Sequence, residues 1–153
     1  MKKYSILAIC LLVATSTFAQ FLDSKKDLVT SKGFFTLHYD ESDDKIYVEV
    51  DKLDEEFLYV HSLRTGLGSN DIGLDRGQLG GNAVVKFQKV GNKIMLVQPN
   101  MRYRANTTNE LERKSIEEAF AKSVLFGFPI KEQKGGKYLI DFTPFLLEDT
   151  HGI

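Results

Sequence analysis

Cysteine is nearly absent from the chain. The single cysteine, Cys10, lies within an apolar run near the N-terminus. Ile9, the residue before it, is larger than the small residue that a lipoprotein signal needs at that position. We therefore expect a mature chain without cysteine, in which disulfides, thiol nucleophiles and cysteine-bound zinc are excluded.

The chain also has almost no net charge, because its 21 acidic residues nearly balance its 20 basic ones. This balance gives no electrostatic reason to expect nucleic acid or an anionic membrane surface as a partner. The length of 153 residues, with 42% apolar and 27% charged residues, is typical of one folded domain.

The N-terminal apolar run, Ile6–Ala14, is about half of the ~20 residues that span a bilayer. Two lysines precede it, and the small residues Thr17 and Ala19 stand where a signal peptidase reads the chain. We interpret residues 1–19 as a signal peptide cleaved before Gln20, with an uncleaved anchor as the alternative. The protein is then exported, to the periplasm or the extracellular space.

The motifs of common catalytic and metal sites are missing from the sequence. It contains no H-E-x-x-H, no G-x-S-x-G nucleophile elbow and no phosphate loop ending in G-K-[ST]. His38 and His61 fall in predicted strands that we expect to be neighbours, but a zinc site needs a third ligand. We interpret both as strand histidines. We predict no catalytic residue, metal or cofactor in this chain. A small hydrolase built on His38 or His61 is a minor alternative.

Alternating apolar residues and turn signals predict a series of antiparallel hairpins. The apolar residues on both faces of the third predicted strand favour a central place in the sheet. Helical spacing predicts a main helix over residues 107–126, and Pro144 favours a short helix over Thr143–Leu147. The predicted strands are Phe34–Tyr39, Lys45–Val50, Phe57–Leu63, Ala83–Lys89, Lys93–Gln98, Ile130–Gln133 and Tyr138–Phe142.

These elements predict a β-rich α+β fold, a mainly antiparallel meandering sheet with the helix of residues 107–126 packed on it. Residues 20–32 are polar and are expected to form a linker. Residues 33–153 are expected to form a single β-rich domain. Because no capping residues or polar tail follow His151 and Gly152, we expect this domain to be truncated at its C-terminal end.

The stretch from Arg64 to Phe87 holds six of the chain's twelve glycines. Its spacing does not match a nucleotide-binding loop, so we read residues 66–81 as a long loop between strands. The charged and polar residues Asp71, Asp75, Arg76 and Gln78 are the candidates for an interaction site there. An Asp–Arg neighbour pair either pins such a loop or presents it to a partner, and pinning is favoured.

Four motifs carry a resemblance to a known family. They are Gly73–Gly80 (GLDRGQLG), Val97–Asn100 with Arg102–Ala105 (VQPN, RYRA), Phe120–Phe128 (FAKSVLFGF) and Asp141–Leu146 (DFTPFL). Together they resemble the N-terminal domain of unknown function that precedes the catalytic domain of secreted, Bacteroidetes-type Met-zincin metalloproteases. The resemblance covers the chain from about Gly33 to its end.

The resemblance implies a zinc-dependent metallopeptidase whose H-E-x-x-H lies in a later domain, so none of its catalytic residues falls on a position of this chain. It implies a non-catalytic segment that packs on, orients or gates the protease domain of the same polypeptide, which acts on protein or peptide. Zinc belongs to the full-length family, and no activity is expected of this chain alone. The alternative is a free-standing exported module that binds a protein or glycan through residues 66–81.

Overall fold

One antiparallel sheet of eight strands dominates the computed structural model, which describes residues 21–62, 65–66, 71, 75, 77, 79–103 and 105–148. The β-rich, mainly antiparallel fold expected from the sequence is therefore confirmed. The strands are β1 Leu28–Lys32, β2 Thr36–Asp40, β3 Lys45–Val50, β4 Phe57–Ser62, β5 Leu79–Val90, β6 Lys93–Gln98, β7 Ser123–Lys134 and β8 Lys137–Asp141.

The described residues include three short helical segments beside the sheet: a 3₁₀ turn at Leu22–Ser24, helix α1 at Glu110–Ala119 and helix α2 at Thr143–Leu147. Asn109 caps the N-terminus of helix α1, and its side-chain oxygen accepts a hydrogen bond from the Leu111 N–H at 3.0 Å. Helix α2 has the length expected from the sequence, with proline in its first turn. Within the described part of the chain, no helix is long and apolar enough to cross a membrane.

The strand order is β1-β2-β3-β8-β7-β6-β5-β4, and two long strands make the sheet curl. Strand β5 pairs with β4 over Leu79–Val85 and then with β6 over Lys86–Val90. Strand β7 likewise pairs with β6 in its first half and with β8 in its second half. The β7–β8 ladder has a register shift between Ile130 and Glu132, where β7 changes partner, and such bulges bend a strand and increase its twist.

The core fills the concave side of the curled sheet. Phe128, which is fully buried, lies between Phe126 and Phe142, with ring centroids 4.7 and 5.1 Å away. Phe145 of α2 closes the same cluster and is 2% exposed. The other buried members are Val48, Val50, Val85, Phe87, Ile94, Leu96 and Ile140.

Turn chemistry explains the hairpins that the sequence predicted correctly. Gly91 between β5 and β6 has φ +56°, and Gly135 and Gly136 between β7 and β8 have φ +57° and +80°. Glycine adopts this left-handed region without steric cost. The β2–β3 turn uses Asp44 at φ +52°, and aspartate is one of the few other residues that tolerate it.

The predicted main helix is wrong over its second half. Helix α1 ends at Ala119, and Ser123–Lys134 is strand β7 instead. The apolar residues of this region fit a helical stripe, but Phe126 and Phe128 also alternate toward the core of a sheet. Pairing of β7 with β6 and β8 satisfies the backbone there and decides the outcome. No residue of α1 is buried, so its packing on the sheet is slight.

Two further strand predictions are corrected by the sheet order. Strand β4, expected to be central, is the last strand of the sheet because β3 pairs with β8 rather than with β4. Leu28–Lys32, which was assigned to an irregular linker over residues 20–32, forms the opposite edge strand β1. Hydrogen bonding to β2 makes this segment a strand, which its polar sequence alone does not indicate.

Candidate functional site

The glycine-rich segment lies partly outside the described residues, and this includes the predicted interaction residues Arg76 and Gln78. Asp71 is exposed and Asp75 is half-buried. The segment ends earlier than expected, because β5 begins at Leu79 and takes in Gly80 and Gly81. The structure therefore shows the base of the predicted loop, where β5 starts beside β4.

A close approach at this base explains one of the glycines. A Cβ atom added to Gly80 would lie 2.0 Å from Nε2 of His61, far inside contact distance. At Gly81 the nearest atom, His61 Cε1, would be 3.6 Å away, which is ordinary contact. Gly80 therefore leaves room for the imidazole of β4 against the backbone of β5. Tyr59 lies on the same side of β4, with its ring 6.3 Å from that of His61.

His38 occupies a second polar site and is 7% exposed. Its Nδ1 lies 2.9 Å from the Thr30 hydroxyl, and its Nε2 lies 3.1 Å from Oε1 of Glu49. The second carboxylate oxygen of Glu49 accepts a hydrogen bond from Lys137 Nζ at 2.8 Å. These four side chains, from β1, β2, β3 and β8, form one hydrogen-bonded chain across the sheet.

The Lys137 ammonium and, after it, His38 lower the pKa of the Glu49 carboxyl group, against an opposing effect of burial. The same pairing raises the pKa of Lys137. Hydroxyl, imidazole and carboxylate stand here in the order of a Ser-His-Asp catalytic triad. Here Lys137 neutralises the carboxylate, and both ring nitrogens of His38 have partners. The arrangement therefore holds four strands together as a satisfied polar network.

The two histidines do not meet. His38 lies on β2 and His61 on β4, and five strands separate these two in the sheet order. The expectation that they belong to neighbouring strands is therefore wrong. The sequence could not supply the partner Thr30, because residues 20–32 were expected to form a linker rather than to contain strand β1.

The segment before β1 covers the convex, polar face of β2 and β3. Phe21 packs edge-on against Tyr47, with ring centroids 5.3 Å apart. Lys25 Nζ lies 2.8 Å from Oδ2 of Asp40, a fully buried residue, and also pairs with Asp43. The Lys25 ammonium, helped by Ser42, lowers the pKa of Asp40 to about 2.

The structure has two surface clefts, and the first is lined in part by residues of the His38 network. One, of about 400 Å³, lies beside the Glu49–Lys137 pair. Its lining includes Leu22, Glu49, Glu132, Lys134, Lys137 and Leu139. The other, of about 800 Å³, separates α1 from β5 and contains the stacked rings of Tyr103 and Phe120, 4.1 Å apart.

Among the described residues, no group of three or more His, Cys, Asp or Glu side chains could hold a metal ion. The first cleft combines carboxylates with ammonium groups, and these pair with each other across β3 and β8. Neither cleft therefore presents an arrangement that specifies a cofactor. The described surface also carries exposed apolar side chains.

The clearest such feature is an uncovered part of the core-facing side of the sheet. Leu37 of β2 lies opposite the core residue Val48, and Tyr39 lies opposite Ile46. Val29 of β1 lies opposite Tyr39 in turn. Leu37 is 42% exposed, Tyr39 is 38% exposed and Val29 is 51% exposed. We call the surface formed by Val29, Leu37 and Tyr39 the open core face.

The fold and these sites define a curled, open antiparallel sheet with apolar surface at one end. Residues 77–153, about half of the chain, match the family model described as Domain of unknown function (DUF5117), and the chain therefore belongs to this family. Residues 15–66 match a second model, Domain of unknown function (DUF5118). Comparison with curated proteins and with solved structures gives no match.

The two matched regions interleave in space. Residues 15–66 supply β1 to β4, and residues 77–153 supply β5 to β8. Strand β3 of residues 15–66 pairs with β8 of residues 77–153, and β4 pairs with β5. The two regions therefore complete one sheet between them.

Proposed function

We propose that the protein is a non-catalytic N-terminal segment of an exported zinc-dependent metallopeptidase, and that it packs on or gates the protease domain that follows it. The resemblance carried by Gly73–Gly80, Phe120–Phe128 and Asp141–Leu146 supports the association with a protease. The zinc and the catalytic residues belong, in this proposal, to the later domain, which acts on protein or peptide.

The open core face is the observation that carries the proposal. A sheet buries its apolar face against another element. Among the described residues, the core covers this face over β3 to β8, while Val29, Leu37 and Tyr39 of β1 and β2 stay exposed on it. Two more apolar side chains, Leu146 and Leu147 of α2, are 51% and 82% exposed. Grouped exposed apolar residues of this kind mark interaction surfaces.

The position of α2 favours a following domain as the occupant of this face. Thr143 Oγ1 accepts a hydrogen bond from the Ile46 N–H at 2.8 Å, and the Phe142 N–H donates to the Ile46 carbonyl at 2.8 Å. Ile46 lies directly opposite Tyr39. The chain thus passes beside the open core face just before residue 148, and a domain attached there would lie within reach of it.

The first test is the coding sequence beyond the Ile153 codon. A reading frame that continues into a segment encoding H-E-x-x-H supports the proposal. A stop codon at that point overturns it for this product.

The second test compares hydrogen exchange in the longer polypeptide and in the 153-residue chain. We expect the amides of β1 and β2 to exchange at least about tenfold more slowly when the following domain is present, because it covers this face. In the longer polypeptide, Leu37→Lys should abolish that protection. The control Leu111→Lys, on a helix residue that is 77% exposed, should keep it. Equal exchange in the two proteins would contradict docking on this face.

A free-standing binding module remains the second candidate, because Asp71 is exposed while Gly80 and His61 anchor the end of the segment to β4. It uses residues 66–81 to hold a protein or glycan. It predicts that binding to a glycan or protein array is lost in Asp71→Ala and retained in Leu37→Lys. The reverse pattern favours the metallopeptidase segment.

A further inference from the structure

The first cleft, of about 400 Å³, lies on the convex face where β3, β8 and β7 run side by side. Its volume falls within the range of about 300–1,000 Å³ that is usual for small-molecule pockets. The register places Leu139 of β8 between Glu49 of β3 and Glu132 of β7. Residues directly opposite each other in neighbouring strands share one face of the sheet. These three side chains therefore form one row across the cleft.

Two ammonium groups lie at one end of this row, beside the turn that joins β7 to β8. Lys134 and Lys137 are opposite each other there, each two residues nearer the turn than Glu132 and Leu139. Residues two apart in a strand share a face. Lys137 Nζ donates a hydrogen bond to Glu49. Lys134 forms no ion pair with another described residue, so its charge is available to a ligand.

Carboxylates lie at the other end of the cleft. The N-terminal 3₁₀ turn crosses the convex face there, because Phe21 packs on Tyr47, on the side away from the β7–β8 turn. The Leu22 N–H donates a hydrogen bond to Oε2 of Glu132 at 3.3 Å. Asp23 follows Leu22, is exposed and also lines the cleft. The cleft is therefore negative at the N-terminal turn and positive at the hairpin turn.

The two ends are separated by about the length of a dipeptide. A strand rises about 3.3–3.4 Å per residue, so the rows of Glu132 and Lys134 are about 7 Å apart. An extended dipeptide spans at most about 7 Å. Its α-ammonium group and its α-carboxylate therefore reach groups of opposite charge at the two ends together.

Other small ligands suit the cleft less well. A simple anion at the two lysines would lie near the carboxylate of Glu132. Among the described residues, no group of three or more His, Cys, Asp or Glu side chains could hold a metal ion. A free amino acid carries both charges on one carbon atom and does not reach from one row to the next. The apolar side chains of Leu22 and Leu139 line the cleft and favour an apolar side chain on the ligand.

We propose that this cleft binds a dipeptide with free termini and an apolar side chain. The α-ammonium group of the ligand pairs with Asp23 and Glu132, and its α-carboxylate pairs with Lys134. The apolar side chain lies against Leu22 and Leu139. Binding of this kind goes beyond the proposed function and needs no protease domain, although dipeptides are among the products that peptidases release.

The test is an NMR titration of the isotope-labelled 153-residue protein with alanyl-leucine. We expect saturable shifts of the amide signals of Gly135 and Leu139, with a dissociation constant of about 1 mM or lower. N-acetyl-alanyl-leucine lacks the ammonium group, alanyl-leucinamide lacks the carboxylate, glycylglycine lacks the apolar side chain and leucine lacks the length. Each of these four ligands should bind at least about fivefold more weakly.

Protein variants locate the two ends of the ligand. Asp23→Asn should weaken alanyl-leucine about fivefold or more and leave the acetylated dipeptide unchanged, because that ligand has no ammonium group to lose. Lys134→Gln should weaken alanyl-leucine similarly and leave the amide unchanged. The matched controls are Asp27→Asn and Lys93→Gln, at exposed residues that do not line the cleft, and neither should alter binding.

The two cleft variants should fold normally, because Asp23 and Lys134 are exposed. Circular dichroism checks that their thermal midpoints stay within about 1 °C of the parent protein. The four modified ligands test the same contacts without any change to the protein.

The proposal is overturned if alanyl-leucine gives no saturable shift below about 10 mM, or if the shifts fall outside the cleft. It is also overturned if the acetylated dipeptide binds as tightly as alanyl-leucine, since the cleft would then be a site for anions alone. Equal losses in the cleft variants and in their controls would likewise overturn it. The 153-residue protein carries no H-E-x-x-H, so failure here leaves the proposed function untouched.

Discussion

Lys25 and Asp40 form an ion pair, with the ammonium nitrogen 2.8 Å from a carboxylate oxygen of a fully buried residue. The lysine belongs to the segment before β1, and the aspartate ends β2. This contact ties the polar N-terminal segment to the sheet. A buried carboxylate without a cation beside it is strongly destabilising. We therefore expect the pair to contribute to the stability of this end of the fold.

Lys25→Met should therefore lower the midpoint of thermal unfolding by about 5 °C or more, since it leaves the Asp40 carboxylate buried without its cation. Lys26→Met is the matched control, because Lys26 is the next residue and is exposed. Its midpoint should stay within about 1 °C of the parent protein. Equal midpoints for the two variants, measured by circular dichroism, would show that the ion pair contributes nothing.

The same pair predicts how stability depends on pH. The pKa of Asp40 in the fold is about 2, below the ordinary aspartate value of 3.8. A carboxyl group shifted downward adds stability above its unfolded pKa, and this stability is lost as the pH falls through the folded pKa. We expect the midpoint of unfolding to drop between about pH 4 and pH 2.

Asp40→Asn should make this acid-induced drop shallower, because the variant has no carboxyl group to protonate at position 40. Some slope should remain, since Glu49 and Asp54 also have lowered pKa values. Thermal scans of both proteins at pH 5, 4, 3 and 2 measure the difference. An identical drop in the two proteins would exclude Asp40 as its source.

Gly80→Ala should destabilise the protein by about 1–3 kcal/mol, because the added methyl group collides with the His61 ring. Gly81→Ala, one residue on, meets the same ring at ordinary contact distance and should cost less than about 1 kcal/mol. Urea denaturation measures both. In the double variant Gly80→Ala with His61→Ala, the cost of the added methyl group should largely disappear. A cost that persists there would mean that the ring is not the obstacle.

The free energy of local unfolding should be much lower for helix α1 than for the sheet. None of its residues is buried, and the stack of Tyr103 on Phe120 just beyond its end is its clearest attachment. We expect its amides to exchange with solvent at least about a hundredfold faster than those of β6. Phe120→Ala should make the amides of α1 exchange faster still and leave the exchange of the β6 amides unchanged. Comparable protection of α1 and β6 in the parent protein would contradict this view.

Local turn chemistry made most of the sheet predictable from sequence. Gly91 and the Gly135–Gly136 pair occupy positions with positive φ, so glycine there predicts the turn directly. Strand β3 was predicted with its observed ends, because its apolar residues alternate. Helix α2 was predicted for a similar reason, since Pro144 suits a first helical turn.

What failed depended on partners distant in sequence. Phe120 and Val124 have helical spacing, and only pairing with β6 shows that Val124 belongs to a strand. Strand β4 has apolar residues on both faces, as central strands do, yet it lies at the edge with Leu58 exposed. The polar network of His38 was missed because its members meet only across four strands. Of the predicted interaction residues, the structure describes Asp71 and Asp75 but not Arg76 or Gln78.

The pairing of β3 with β8 has a consequence for biosynthesis. Tyr47 lies opposite Asp141, so one side of β3 has no strand partner until β8 has left the ribosome. Contacts between residues so far apart in sequence form slowly. The nascent chain therefore passes through a stage in which β3 is exposed along one side.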